Sequence, residues 1–268
     1  MFKNIFPFLG WLPSYNGDSF KKDLIAGTTV GVLLIPQGMA YAFIAGLPPE
    51  FGLYAALTPQ IVYAFLGTSR QLAVGPVALD SLIVASGLGA LTISGIENYI
   101  SMAIFLALFM GVLQILMGFL KFGFVVNFLS KPIISAFTSA AAVLIGLSQF
   151  KNLTGISVPN SESTVSKLIS IFYHLSDINW SITLLGLFCI SSIVLLDKYF
   201  EKIPSGIFIV ITSILFSYVF NFSDLNIVLI ETVPNGLPSF ALPHVTADTI
   251  STLFPIALTL SLVSFMEA

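Results

Sequence analysis

Eight long apolar runs dominate this chain, and few architectures can accommodate them. They are Leu24–Ala45, Phe51–Leu66, Pro76–Ile93, Tyr99–Leu120, Pro132–Phe150, Trp180–Leu196, Ile203–Phe220 and Ile250–Ala268. A helix needs about 20 mostly apolar residues to cross a bilayer's hydrocarbon. Backbone in lipid must also satisfy its own hydrogen bonds, which leaves helices as the economical solution for runs of this length. The pattern therefore predicts an all-α membrane protein, a polytopic helical bundle. Composition agrees, with 56% hydrophobic and 9% charged residues, against about 25% charged in an ordinary soluble domain.

Several function classes lose their support at once. There is no basic patch, so nucleic acid is not an expected partner. The single cysteine, Cys189, lies in an apolar run, which excludes a disulfide framework and a thiolate metal cluster and leaves packing as its role. His174 and His244 fall in connections far apart in sequence and lack partners at metal-ligand spacing. No phosphate-binding loop and no nucleophile elbow is present. The expectation is no enzyme, no cofactor and no metal, with a proton or sodium gradient, or the solute's own gradient, as energy source.

The basic residues orient the chain. With a cytoplasmic N-terminus and all eight runs crossing, Lys3, Lys21, Lys22, Arg70, Lys121, Lys131, Lys198 and Lys202 lie inside, and only Lys151 and Lys167 lie outside. Lys and Arg are retained on the cytoplasmic side, so this partition favours that topology in a cell (inner) membrane. Residues 1–22 read as a cytoplasmic segment whose Phe6, Phe8, Trp11 and Tyr15 sit at headgroup depth. Residues 23–268 read as the transmembrane domain, cut within its eighth run. Val165–Leu175 predicts a surface helix with Leu168, Ile169, Phe172 and Leu175 on one face. Asn221–Thr249, with Pro234, Pro238 and Pro243, predicts an irregular loop.

Two places predict broken helices, which membranes tolerate where the opened backbone faces protein or a cavity. One is Ile35-Pro36-Gln37-Gly38 inside the first run. The other is Val74-Gly75-Pro76-Val77, where an extended Gln71–Val74 leads to a helix start with Pro76 at its first position. That start fits either an ordinary span beginning at the surface or a helix beginning inside the bilayer. Arg70 favours the deeper placement. A helix N-terminus there offers unpaired N–H groups and a positive dipole end to an anion.

Two acids fall within apolar runs, Asp80 and Glu267. Carboxylates at that depth are costly and mark ion paths. Asp80 serves either as proton carrier, cation ligand or gate, or as a cap on first-turn N–H groups. Glu267 serves either as a group that takes up and releases a proton or as a polar residue near the inner surface. Tyr41 lies one turn beyond Gln37 and faces the same side. Ser135, Thr138 and Ser139 with Ala136 and Ala140 form a small-residue stripe that predicts close helix packing.

A linked set of motifs resembles the SulP family of anion permeases. Asp23-Leu24-Ile25-Ala26-Gly27, Ile35-Pro36-Gln37-Gly38-Met39-Ala40-Tyr41-Ala42, Ala45-Gly46-Leu47-Pro48-Pro49 and Gly52-Leu53-Tyr54-Ala55 are similar to its first two spans. Gly67-Thr68-Ser69-Arg70 with Val74-Gly75-Pro76-Val77-Ala78 continues the pattern into the third. Phe265-Met266-Glu267 resembles its eighth-span glutamate motif. The resemblance implies a seven-plus-seven inverted-repeat fold, of which this chain carries the first repeat and one further span, usually followed by a STAS domain. It also implies an anion site lined by Gln37 and Tyr41 and by the backbone at Pro76, Val77 and Ala78, with Glu267 as coupling carboxylate. Asp80 departs from the small or apolar residue more frequent there. The expected function is proton-coupled transport of an inorganic anion, sulfate first, by a full-length protein that forms a homodimer. The alternatives are sodium-coupled bicarbonate transport within the family and, from another class, a non-transporting membrane scaffold.

Overall fold

The computed structural model describes residues 6–91, 93–123, 131–156, 164–200, 204–220, 233–234, 236 and 246–267. Among them every element is helical: α1 (Gly17–Ile44), α2 (Pro49–Leu66), α3 (Ala78–Gly89), α4 (Ile96–Phe119), α5 (Lys131–Thr154), α6 (Thr164–Tyr173), α7 (Trp180–Tyr199), α8 (Ser205–Phe220) and α9 (Ala247–Glu267). Each of the eight apolar runs holds one helix, and α6 is the surface helix expected near Val165–Leu175. Among the described residues, four helices are long and apolar enough to cross a membrane. Their outward faces carry large apolar side chains, such as Ile25, Ile115, Phe119 and Leu184. Water does not tolerate that much contiguous apolar surface, whereas lipid does.

One sequence expectation for α1, the break at Pro36, needs correction, and its helix starts ahead of the apolar run. The helix begins at Gly17, within the segment assigned to the cytoplasmic tail. The Asn16 side chain caps it by accepting the Ser19 N–H at 2.9 Å, and Asp18 sits in the first turn. An apolar run marks the hydrocarbon, while caps mark the helix, so the two boundaries differ. The helix also runs unbroken through Pro36. Proline removes one helical bond at about 3 kcal/mol. Unwinding a turn would instead free several backbone groups in lipid, each costing several kcal/mol. Pro59 and Pro255 are likewise carried inside α2 and α9.

α1 and α2 cross at Gly38 and Gly52, both buried. A Cβ on Gly38 would lie 2.9 Å from the Gly52 carbonyl oxygen, and one on Gly52 would overlap the Gly38 carbonyl. Small residues let membrane helices approach this closely. Gly52→Ala is therefore expected to destabilise the protein by about 1–3 kcal/mol, as overpacking does. Gly111→Ala, in open space on α4, is expected to be neutral or slightly stabilising. Melting curves of the two purified variants check the contrast.

The buried core joins α3, α4 and α9 through Leu88, Phe105, Leu106, Leu253, Ala257 and Leu260. Ser261, fully buried, donates to the Ala257 carbonyl at 2.7 Å and lies 3.3 Å from the Met110 carbonyl on α4. Gly87 of α3 packs on Ile256 of α9. Tyr99 donates to the Ala45 carbonyl at 2.7 Å, tying the start of α4 to the turn after α1. On the other side, the Asn179 side chain caps α7, and its backbone N–H reaches the Thr154 carbonyl at the end of α5 at 2.9 Å. Cys189 packs from α7 toward Ser213 of α8, as a small core side chain does.

The small-residue stripe does not pack as expected. Ser135, Ala136, Thr138, Ser139 and Ala140 are all exposed on α5. Small residues permit close packing without supplying a partner. On α6 the expected apolar face of Leu168, Ile169, Phe172 and Leu175 is exposed, and Ile171 is the buried residue. His244 and most of the loop Asn221–Thr249 lie outside the described residues.

Candidate functional site

The chain leaves α2 at Gly67 and does not re-enter a helix until Ala78, with Val77 extended at its N-cap. The first helical residue is thus two beyond Pro76, where the sequence placed it, and Gln71–Val74 is non-helical. α3 has only 12 residues, about 18 Å of rise, against a hydrocarbon thickness of about 30 Å. The third apolar run is therefore entered by non-helical chain and continued by a short helix.

Packing fixes the place at which the two meet. A Cβ on Gly75 would stand 3.7 Å from Leu34 Cδ2 and 3.8 Å from Gln60 Nε2. Gln60 precedes the end of α2 at Leu66 by roughly 9 Å of helix rise. Gly75 is therefore inside the bundle, between α1 and α2, rather than at the end of α2.

A cavity of about 360 Å³ opens at that point. Gln37 and Tyr41 of α1, Gln60 of α2, and Gly75, Pro76 and Val77 line it with apolar residues of α1. The Gln37 amide donates to the Tyr41 hydroxyl at 3.2 Å, so the two side chains share one face as their spacing predicted. Ala78 is buried in the wall behind Val77 at 5% exposure. Among the described residues, the N–H groups of Ala78, Leu79 and Asp80 donate to no protein acceptor. The first capped donor is Ser81, whose N–H and hydroxyl both reach the Val77 carbonyl. Three free N–H groups at a helix start present positive potential.

The carboxylates form a separate group. Asp80 does not line the cavity, and it makes no cap to the first turn of α3. Its Oδ1 is buried without a hydrogen-bond partner, which removes the capping role the sequence left open. Glu267, exposed at the end of α9, lies within electrostatic reach of Asp80. The geometry explains this. α9 packs antiparallel on α3, with Ile256 against Gly87, so the last turns of α9 return to the level where α3 begins.

One lining residue escaped the sequence reading. Gln60 follows Pro59 inside an apolar run, and a polar amide at such a depth is itself a signal. It went unread because the second run lacks an acid or a broken helix.

These features define a class: a multi-pass membrane protein in which a short helix opens beside a cavity with three polar side chains in its wall. Comparison narrows the class. The model of the sulfate permease family matches residues 20–268. Sulfate transporter 4.1, chloroplastic, of Arabidopsis thaliana is 39% identical over 98% of this chain, which covers 39% of that protein. The solved structure of SLC26A9 superposes with a TM-score of 0.86 at 26% identity, over 98% of this chain and 45% of that one. The transmembrane domain of the cyanobacterial bicarbonate transporter BicA shares the fold, with a TM-score of 0.79 at 24% identity over 95% of this chain and 65% of that domain. The chain belongs to the sulfate permease family, and it spans well under half the length of its plant relative.

Proposed function

We propose that the full-length protein is a secondary active transporter of an inorganic anion, sulfate first, and not an enzyme. The observation that carries this reading is the start of α3 within the bundle, with three free N–H groups behind a cavity walled in part by two glutamine side chains. The solute accepts hydrogen bonds from that helix end and from the Gln37 and Gln60 amides. Among the described residues no fixed cation lines the cavity, so binding rests on dipoles, which hold an anion without trapping it. Asp80 and Glu267 couple transport by taking up a proton as the anion binds. The similarity to a sulfate transporter of Arabidopsis thaliana supports the choice of solute. The bias of Lys and Arg supports a cytoplasmic N-terminus in the inner membrane, and a homodimer is the expected assembly.

The unpartnered Asp80 Oδ1 beside Glu267 favours one second reading, a sodium ion held between the two carboxylates with bicarbonate as solute. Proteoliposomes of the full-length protein separate the two. Accumulation of labelled sulfate driven by a proton gradient without sodium supports the first reading. Accumulation of bicarbonate that requires sodium supports the second, and uptake of neither anion overturns both. Gln60→Leu is expected to raise KM for the anion about tenfold with little change in kcat, since a hydrogen bond to a charged group contributes about 1.5 kcal/mol. An unchanged KM would remove Gln60 from the site.

A further inference from the structure

A larger cavity, of about 730 Å³, lies at the membrane surface where α1 begins and α2 ends. It is closed on one side by the N-terminal segment, where a single helical turn, Phe8–Trp11, rests on the end of α2 through Phe8 and Phe65 at 5.6 Å. The other wall is the extended chain at Gly67–Arg70, upstream of the α3 opening. Nothing in the transport reading uses this space.

Its chemistry has two poles. Arg70 lines it, and among the described residues no carboxylate or carbonyl pairs with this guanidinium. Across the cavity stands Asp23, which accepts the Tyr15 hydroxyl at 2.6 Å. Trp11 stacks obliquely against Tyr15 with ring centroids 5.5 Å apart, which steadies the ring whose hydroxyl meets Asp23. Hydroxyls of Ser19 and Thr68 line the space between. A free guanidinium selects a phosphate. A carboxylate beside an aromatic ring selects an ammonium group.

A simple anion would satisfy Arg70 and leave Asp23 facing it at a cost. An anionic lipid lacking an amine would do the same. We propose that this cavity binds an ethanolamine phosphate group, with the phosphate on Arg70 and the ammonium on Asp23 beside Tyr15. The aromatic rim and the position at the ends of two spans match a headgroup carried by a phospholipid. Once bound, the phosphate clamps Thr68–Arg70 and so anchors the extended chain that leads to Gly75.

The test is native mass spectrometry of the full-length protein taken from nanodiscs with equal amounts of ethanolamine and glycerol phospholipids. The wild type is expected to retain the ethanolamine lipid in about tenfold excess. Arg70→Gln is expected to lose that retention, and Arg70→Lys, which keeps the charge, to restore most of it. Asp23→Asn is expected to bring the two lipids to parity. Adding soluble glycerophosphoethanolamine distinguishes the sources. Displacement of the lipid assigns recognition to the headgroup alone, and persistence assigns it to the anchored lipid. Equal retention of both lipids by the wild type, or undiminished retention by Arg70→Gln, overturns the proposal.

Discussion

Anion uptake by the Gly75→Phe protein is expected to fall at least about 100-fold, equivalent to about 2.7 kcal/mol, while Gly75→Ala stays within about threefold. The contrast follows from the space around that residue. A Cβ there meets Leu34 and Gln60 only at ordinary contact distance, and the backbone does not require a glycine's conformational freedom, so alanine fits. A phenyl ring must extend into the 360 Å³ cavity or push Leu34 aside. Either way it occupies the volume in front of the free N–H groups of α3. The buried core of α3, α4 and α9 lies on the other side of that helix, so the melting temperature of Gly75→Phe should stay near that of the wild type. Normal uptake by a folded Gly75→Phe protein would show that solute does not pass this point.

How much of this was legible before the fold was known depends on the scale of the feature. The helices were readable because apolar runs in lipid leave few alternatives, and all eight runs hold one. The opening before α3 was readable because Gly75-Pro76 interrupts a run at a distance from Arg70 that demands extended chain. Pro36 misled for the same reason that Pro76 informed: proline shows where a bond is missing, and only the neighbours decide whether a helix continues. Gln60 was invisible because its function depends on standing opposite Gly75, a relation between α2 and the α2–α3 connection that spacing along one helix cannot express. The distance between Asp80 and Glu267 is of the same kind. More than half of the chain separates them, and the packing of α9 on α3 joins them.

That juxtaposition leads to the other large effect. Glu267→Gln is expected to abolish proton-driven accumulation, leaving only equilibration of the anion down its own gradient. The amide exchanges no proton with the solvent's acid–base chemistry, yet it fills the same volume and accepts hydrogen bonds, so binding should survive with KM changed by no more than a few-fold. Asp80→Asn tests the partnership. Its Oδ1 has no hydrogen-bond donor, so neutralising it removes a buried charge without leaving a former partner unsatisfied, and stability should hold or rise. If the two acids act as one unit, the double variant should be no worse than Glu267→Gln alone, because sites in one network are not additive. The direction of the pH response separates coupling from damage. Wild-type uptake should increase as the external pH falls at constant internal pH, and Glu267→Gln uptake should be flat across the same range. A variant that is slower at every pH yet keeps the wild-type slope would place the proton elsewhere, and would leave the α3 opening as an anion site without its coupling group.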